Sequence, residues 1–293
     1  MSSSATASRL ELCLLGGLLG DAWGGAYEGQ SAPTEPTFPR IAVVSDDTQL
    51  VMATCEALIH TGGRVDPEVI ANRFRDWFTS GRLTGLGSST LKALRDLAAG
   101  AHWALSGARG EFAAGAGAAM RAAPLAFFLD PHRDQDRQSI RDVARITHHS
   151  DEAYAGALAM ILAVRRSSFA GGVPADLLAI VASDLPDTAV RDRMLELANA
   201  SDEAAVQLGV SGHVVDAVPL ALRIAAAPGV SCEGAVRAAI ACGGDTDTIA
   251  AMAAQIVGAG GIAAPDDLVD RVPDAAEARA LFSRTALLIR GAG

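Results

Sequence analysis

The stretch Ala241-Cys-Gly-Gly-Asp245-Thr-Asp247-Thr248-Ile-Ala-Ala-Met-Ala-Ala-Gln-Ile-Val-Gly-Ala-Gly-Gly-Ile262 decides the fold class. After the Gly243-Gly244 turn the residues are mostly small and apolar, and no charge follows Asp247 until Asp266. A run that is apolar on every side reads as a helix buried all round. Its acidic start has two readings. Asp and Thr are good N-caps, and the helix dipole favours negative charge at that end. One cap uses one side-chain oxygen, however, and this turn supplies two carboxylates and two hydroxyls with no basic residue after Arg237. Hard divalent cations such as magnesium take oxygen clusters of this kind. From this stretch alone, cap and metal site stay equally open.

A second acidic helix start has the same design. Ile41-Ala-Val-Val44 is β-branched but too short to imply a sheet, and it leads into Ser45-Asp46-Asp47-Thr48. The following helix presents Leu50, Val51, Thr54, Ala57 and Leu58 on one face. Adjacent Asp46 and Asp47 repel, so burying them together requires a cation or raised pKa values. Either cluster alone is an ordinary helix start. Two of like chemistry favour one shared oxygen-rich metal site.

Working outward, Leu10, Leu14, Leu15, Leu18 and Leu19 follow helical spacing into Gly16-Gly17-Leu-Leu-Gly20-Asp21-Ala-Trp-Gly24. Glycines four apart imply a close helix crossing. Asp21 and Glu28, acidic within an apolar, glycine-rich stretch, cap a helix or serve a cleft; Asp21 is assigned the structural role. Ser31 to Pro39 carries three prolines and reads as an irregular loop. Asp66-Pro67 opens a helix with Ile70, Phe74, Trp77 and Phe78 as core. The polar turn before Leu91 offers the hydroxyl of Ser88 to a cap or a ligand. Gly107 to Met120 is a glycine-rich segment of the type that exposes backbone N–H groups to phosphate, a weak signal by itself. Adjacent His148 and His149 lack the spacing of a zinc pair and read as a hydrogen-bonding turn. Further helices begin near Pro174, Asp187, Ser201, Asp216 and Ser231, and two helices close the chain between Asp266 and Ile289.

Composition narrows the classes. A 50% hydrophobic, 4% aromatic chain must build its core from Ala, Leu, Val and Ile, which suits closely packed helices. The net charge of −10 argues against nucleic-acid groove binding. Lys92 is the only lysine, so Schiff-base chemistry is disfavoured. Cys13, Cys55, Cys232 and Cys242 sit in apolar surroundings without CxxC spacing and read as buried free thiols of a reducing, cytoplasmic compartment. No apolar run of membrane-spanning length escapes glycine or charge. No strands of sheet-forming length and no linker appear. The expectation is an all-α, single-domain orthogonal multi-helix bundle over residues 1–293, with its core motifs in 9–289, several helix N-termini converging on one cleft, and a monomeric state.

The ordered motifs resemble the ADP-ribosylglycohydrolase family, which includes the dinitrogenase reductase-activating glycohydrolases and the ADP-ribosyl-acceptor hydrolases. The matching pieces are Gly20-Asp21-Ala-Trp-Gly24 with Glu28, Ser45-Asp46-Asp47-Thr48, Gly117-Ala-Ala-Met120-Arg121-Ala-Ala-Pro124, Thr147-His148 and Gly243-Gly244-Asp245-Thr246-Asp247-Thr248. The resemblance implies two magnesium ions, with manganese as a substitute, held by Ser45, Asp46, Asp47, Asp245, Asp247 and Thr248. It implies catalysis by Glu28 as general base or gate, together with Asp46 and Asp247. Gly115, Gly117, Ala118, Met120, His148 and Ser88 would bind substrate. Where the family usually carries Asn in the Gly-Asn-Gly loop, this chain has Ala116. The implied partner is an ADP-ribosylated protein, modified on arginine or serine, or a small ADP-ribose conjugate. Rival readings are a silent ADP-ribose-binding member and a two-metal hydrolase of another nucleotide-like glycoside.

Overall fold

Small residues dictate how the first helix meets the motif-bearing one. The structure, a computed structural model, describes residues 2–30, 35–110 and 113–291. Positions 31–34 of the proline-containing loop and positions 111 and 112 of the glycine-rich segment lie outside the described residues. In chain order the helices are α1 (Ser3–Gly24), α2 (Asp46–His60), α3 (Pro67–Thr79), α4 (Ser88–Ala98), α5 (Gly117–Met120), α6 (Asp134–Arg145), α7 (Asp151–Ala170), α8 (Leu177–Asp184), α9 (Ala189–Leu197), α10 (Asp202–Gln207), α11 (Val214–Ala225), α12 (Cys232–Cys242), α13 (Thr246–Ala259), α14 (Asp266–Val269) and α15 (Ala275–Gly291). This is the all-α multi-helix bundle that the sequence implies.

Every residue of α13 is buried. Along it runs α1, and the two backbones touch through glycine. A Cβ at Gly16, Gly20 or Gly24 would stand 2.5, 2.4 or 2.4 Å from the carbonyl oxygens of Ala254, Ala250 and Thr246. From the other side, a Cβ at Gly258 would stand 2.3 Å from Leu12 O. The seam is antiparallel: each step of four along α1 matches a step of four back along α13. Around this pair, α12 and α11 cover α13, while α15 and α2 cover α1. Ala, Leu, Ile and Met fill the shared core, with Trp23, Phe74 and Phe282 among its largest members.

Local starts follow simple chemistry. Asp66 caps α3, accepting from Glu68 N at 3.1 Å and Val69 N at 3.3 Å, with Pro67 in the first turn. Two expected starts shift. Thr188, not Asp187, caps α9, and His213, not Asp216, caps α11; Asp216 instead pairs with Arg193 at 3.1 Å. The described residues of the glycine-rich segment also make backbone pairings. Ala108–Arg109 (β1) pairs in parallel with His148–His149 (β2), and Gly115 bridges His213. Cys13, Cys55 and Cys232 are buried free thiols, whereas Cys242 is half-buried. No helix among the described residues is long and apolar enough to cross a membrane.

Candidate metal centre and cleft

The capping bonds show which oxygens the helix starts use. At the start of α2, the backbone N–H groups of Ser45 and Thr48 donate to Asp21, on α1, at 3.0 Å each, and Ser45 Oγ donates to Asp21 Oδ1 at 2.8 Å. Ser45 Oγ in turn accepts from Asp47 N at 3.3 Å. Neither Asp46 nor Asp47 is needed as a cap. At the start of α13, Asp245 occupies the N-cap position but makes no side-chain capping bond. The Thr246 hydroxyl serves the neighbouring helix instead, donating to Gly24 O, at the end of α1, at 2.8 Å. Asp247 Oδ1 accepts from Thr248 N at 2.9 Å, while Asp46, Asp47 and Asp245 cap neither helix, and all four border one cleft.

That cleft has a volume of about 550 Å³ and is bordered by Glu28, Asp46, Asp47, Asp245, Asp247 and Thr248 on its acidic side. Carboxylate oxygens of Glu28, Asp245 and Asp247 lie within 4.8 Å of one another, a spacing a metal ion can span. Thr248 Oγ1 donates to Asp47 Oδ2 at 3.1 Å, joining the two clusters. Burial and mutual repulsion push these acids up. Burial raises Asp247 to about 7 and Asp21 to about 6. Asp46 and Asp47 rise well above the usual carboxylate range, first through burial and then through their acidic neighbours. For Glu28, at the exposed rim, the leading cause is the charge of Asp247. A hard divalent cation fits this site on two observations. The donors are all carboxylate and hydroxyl oxygens. Asp47 Oδ1 is also buried without a hydrogen-bond partner, and an orphaned buried polar atom costs about 1–3 kcal/mol when nothing pairs with it.

The opposite wall is the loop leading into α5. Gly115, Ala116, Gly117, Met120 and His148 line it, with Ser88, Ser89 and Thr90 beside them. The loop is held from behind. Ala116 N donates to Gly212 O at 2.9 Å and Val214 N to Ala114 O at 2.8 Å. Arg121, 1% exposed, donates to Gly117 O and, at 2.7 Å, to Thr147 Oγ1. Ala116 is itself 3% exposed, so the position of the family's usual Asn is almost closed off.

Most of the residues singled out from sequence therefore meet around one cleft, with two exceptions. Ser45 does not border the cavity: its hydroxyl is engaged by Asp21 and Asp47 as the α2 cap. Ala118 is 3% exposed and packs into the core, because on a single helical turn it faces away from Gly117. Glu28, read as a base, sits inside the carboxylate group with Asp245 and Asp247. Sequence reasoning left out Ser211 and Gly212, which also border the cavity. A Cβ at Gly212 would reach 2.5 Å from Asp245 Oδ2, and Asp245 N donates to Val210 O at 2.9 Å. The paired glycines Gly209 and Gly212 were the available signal.

An all-α bundle carrying a buried acidic cluster across from a glycine loop defines a class, and the chain belongs to it: the ADP-ribosylglycohydrolase family model matches residues 2–292. Among its relatives is an uncharacterized protein of Archaeoglobus fulgidus, 28% identical over 89% of this chain and 90% of the other. The ADP-ribosylhydrolase ARH3 of Danio rerio is 28% identical over 86% of this chain and 82% of its own. A solved structure described as an ADP-ribosylglycohydrolase-related protein complex superposes with a TM-score of 0.76 at 26% identity, covering 97% of this chain and 98% of that one. Family membership supports a glycohydrolase.

Proposed function

We propose that the protein is a magnesium-dependent hydrolase that releases ADP-ribose from an arginine or serine side chain, or from a small ADP-ribose conjugate. The observation that carries this is the buried carboxylate cluster, with Asp47 Oδ1 orphaned, sharing one cleft with a backbone-lined loop. Asp46, Asp47, Asp245, Asp247 and Thr248 would hold the ions, with Ser45 and Asp21 fixing the start of α2 behind them. When bound, a pair of such ions orients ribose hydroxyls and a water molecule and lowers the pKa of that water. Manganese is a substitute for magnesium.

The chain's own residues supply the rest. Hydrolysis breaks the bond from the ribose anomeric carbon to the side-chain nitrogen or oxygen, forms a carbon–oxygen bond to water, and returns a proton to the leaving group. Glu28, exposed at the rim with its pKa raised first by the charge of Asp247 and then by burial, is placed to take the proton the water gives up. The loop from Gly115 to Met120 offers backbone donors to the diphosphate.

The test is release of free ADP-ribose from arginine-linked and serine-linked ADP-ribosyl proteins, with and without magnesium. Magnesium-dependent release from at least one is expected; release from neither refutes the proposal. For Glu28→Gln, kcat is expected to fall at least about 10²-fold, with the magnesium half-saturation point unmoved. A displaced half-saturation point would make Glu28 a ligand instead of the base.

A further inference from the structure

We propose that Arg121 and Thr147 are positioning residues that hold His148 as the neutral tautomer protonated on Nε2, so that its one ring proton points into the cleft. The proposal that this proton meets a phosphate oxygen of ADP-ribose rests on the functional reading above. The protonation order rests on the buried chain alone.

The order follows from counting donors. A guanidinium has five N–H donors and no acceptor, and it stays protonated at neutral pH. Arg121, whose pKa burial lowers only to about 10, can therefore only donate across its 2.7 Å contact with Thr147 Oγ1. The Thr147 hydroxyl has one proton, and its only other partner among the described residues is His148 Nδ1 at 2.7 Å. If Nδ1 carried the proton, Thr147 Oγ1 would accept twice and its own proton would be buried without an acceptor, since Thr147 is 0% exposed. That arrangement leaves a buried donor unmade, which is the costly case. The remaining order is Arg121 to Thr147 to His148 Nδ1, with the ring proton on Nε2. Burial, then the charge of Arg121, lowers the His148 pKa to about 3, so the doubly protonated ring does not compete.

The geometry gives that proton a use. His148 borders the cavity, and its Nε2 has no protein partner among the described residues, Nδ1 being the nitrogen bonded to Thr147. A Cβ at Gly115 would stand 3.3 Å from this nitrogen, and one at Gly117 would stand 2.9 Å from His148 Cε1, so the imidazole lies against bare backbone. Arg121 also donates to Gly117 O, so loop and ring are fixed by one side chain. No lysine or arginine borders this cleft among the described residues. A neutral N–H aimed at an anion does not compete with cations for the nearby carboxylates.

The experiment is nitrogen NMR of the full-length protein labelled with ¹⁵N-histidine, using His148→Gln to identify the ring signals. The free wild type is expected to show a protonated Nε2 and a bare Nδ1. Thr147→Val should shift His148 to a mixture of tautomers and weaken ADP-ribose binding about tenfold, the scale of one charge-assisted hydrogen bond. Thr147→Ser, which keeps the hydroxyl, should retain both the spectrum and the affinity. A proton on Nδ1 in the wild type overturns the proposal, and so does an unchanged ring spectrum in Thr147→Val. If Thr147→Val does not fold, the wild-type and Thr147→Ser spectra still decide. Wild-type protein that shows the expected spectrum but binds no ADP-ribose would refute the functional reading while leaving the protonation order intact.

Discussion

Asp247→Asn is expected to lower turnover steeply and, in the metal-free protein, to increase stability. The two effects have one cause. Asp247 appears among the neighbours whose charge raises Asp21, Glu28, Asp46 and Asp47. Its own pKa rises from 3.8 to about 7, chiefly through burial. A carboxyl held higher in the folded state than in the unfolded one keeps its proton longer when folded. Stability is therefore intact below pH 3.8, declines as pH rises to about 7, and stays reduced above that. Asparagine removes both this cost and the repulsion on its neighbours, a gain on the order of 2 kcal/mol at pH 8. Losing a carboxylate that would hold an ion at the reacting centre should lower ADP-ribose release roughly 10³-fold, the equivalent of about 4 kcal/mol. Urea unfolding in the presence of a chelator, at pH 4.5 and pH 8, checks the first effect. A variant no more stable than wild type at pH 8 would refute the electrostatic account. With magnesium added, the order of stabilities should reverse, because the wild type gains a ligand that the variant binds poorly.

Gly20→Ala should destabilise the protein. Inside an ordinary helix this change stabilises by about 0.5–1 kcal/mol, because alanine loses less conformational freedom on folding. Here the new Cβ would stand 2.4 Å from Ala250 O and 2.5 Å from its carbonyl carbon. Those are backbone atoms, so no side chain can turn away to make room. The helices must separate, and overpacking of this kind costs about 1–3 kcal/mol or more. The expected result is a lower urea midpoint and weaker magnesium binding, since α13 carries Asp247 and Thr248 at its first turn. Unchanged stability would mean that α1 and α13 do not pack at this distance in solution.

The helical class was legible because the run after Asp247 is apolar on all sides, which only a fully buried helix satisfies. Gly16, Gly20 and Gly24 announced the crossing by their spacing, though nothing in that spacing named α13 as the partner. The acidic clusters were visible as clusters. That Asp46, Asp47 and Asp245 are not used as caps was not, since it depends on Asp21 reaching the start of α2 from a different helix and on Asp245 making no capping bond. Arg121 and Thr147 stood within recognised motifs, yet their role depends on burial that composition does not reveal. Ser211 and Gly212 went unnoticed because a pair of glycines near a helix start is indistinguishable from an ordinary turn until Asp245 is seen lying against it.

The contact of Asp21 with the start of α2 and that of Thr246 with the end of α1 together have a metrological consequence. Each acidic cluster is referenced to the same rod: one through a carboxylate on the last turns of α1, the other through the carbonyl of its final residue, Gly24. The gap between the clusters is therefore set by two short links and not by the long path of chain that separates them in sequence. Positional errors accumulate over links. Insertions or repacking among α8 and α9, which carry no residue bordering the cleft, should leave the ion-binding gap within its tolerance, so that part of the molecule is free to diversify while the working gauge stays calibrated.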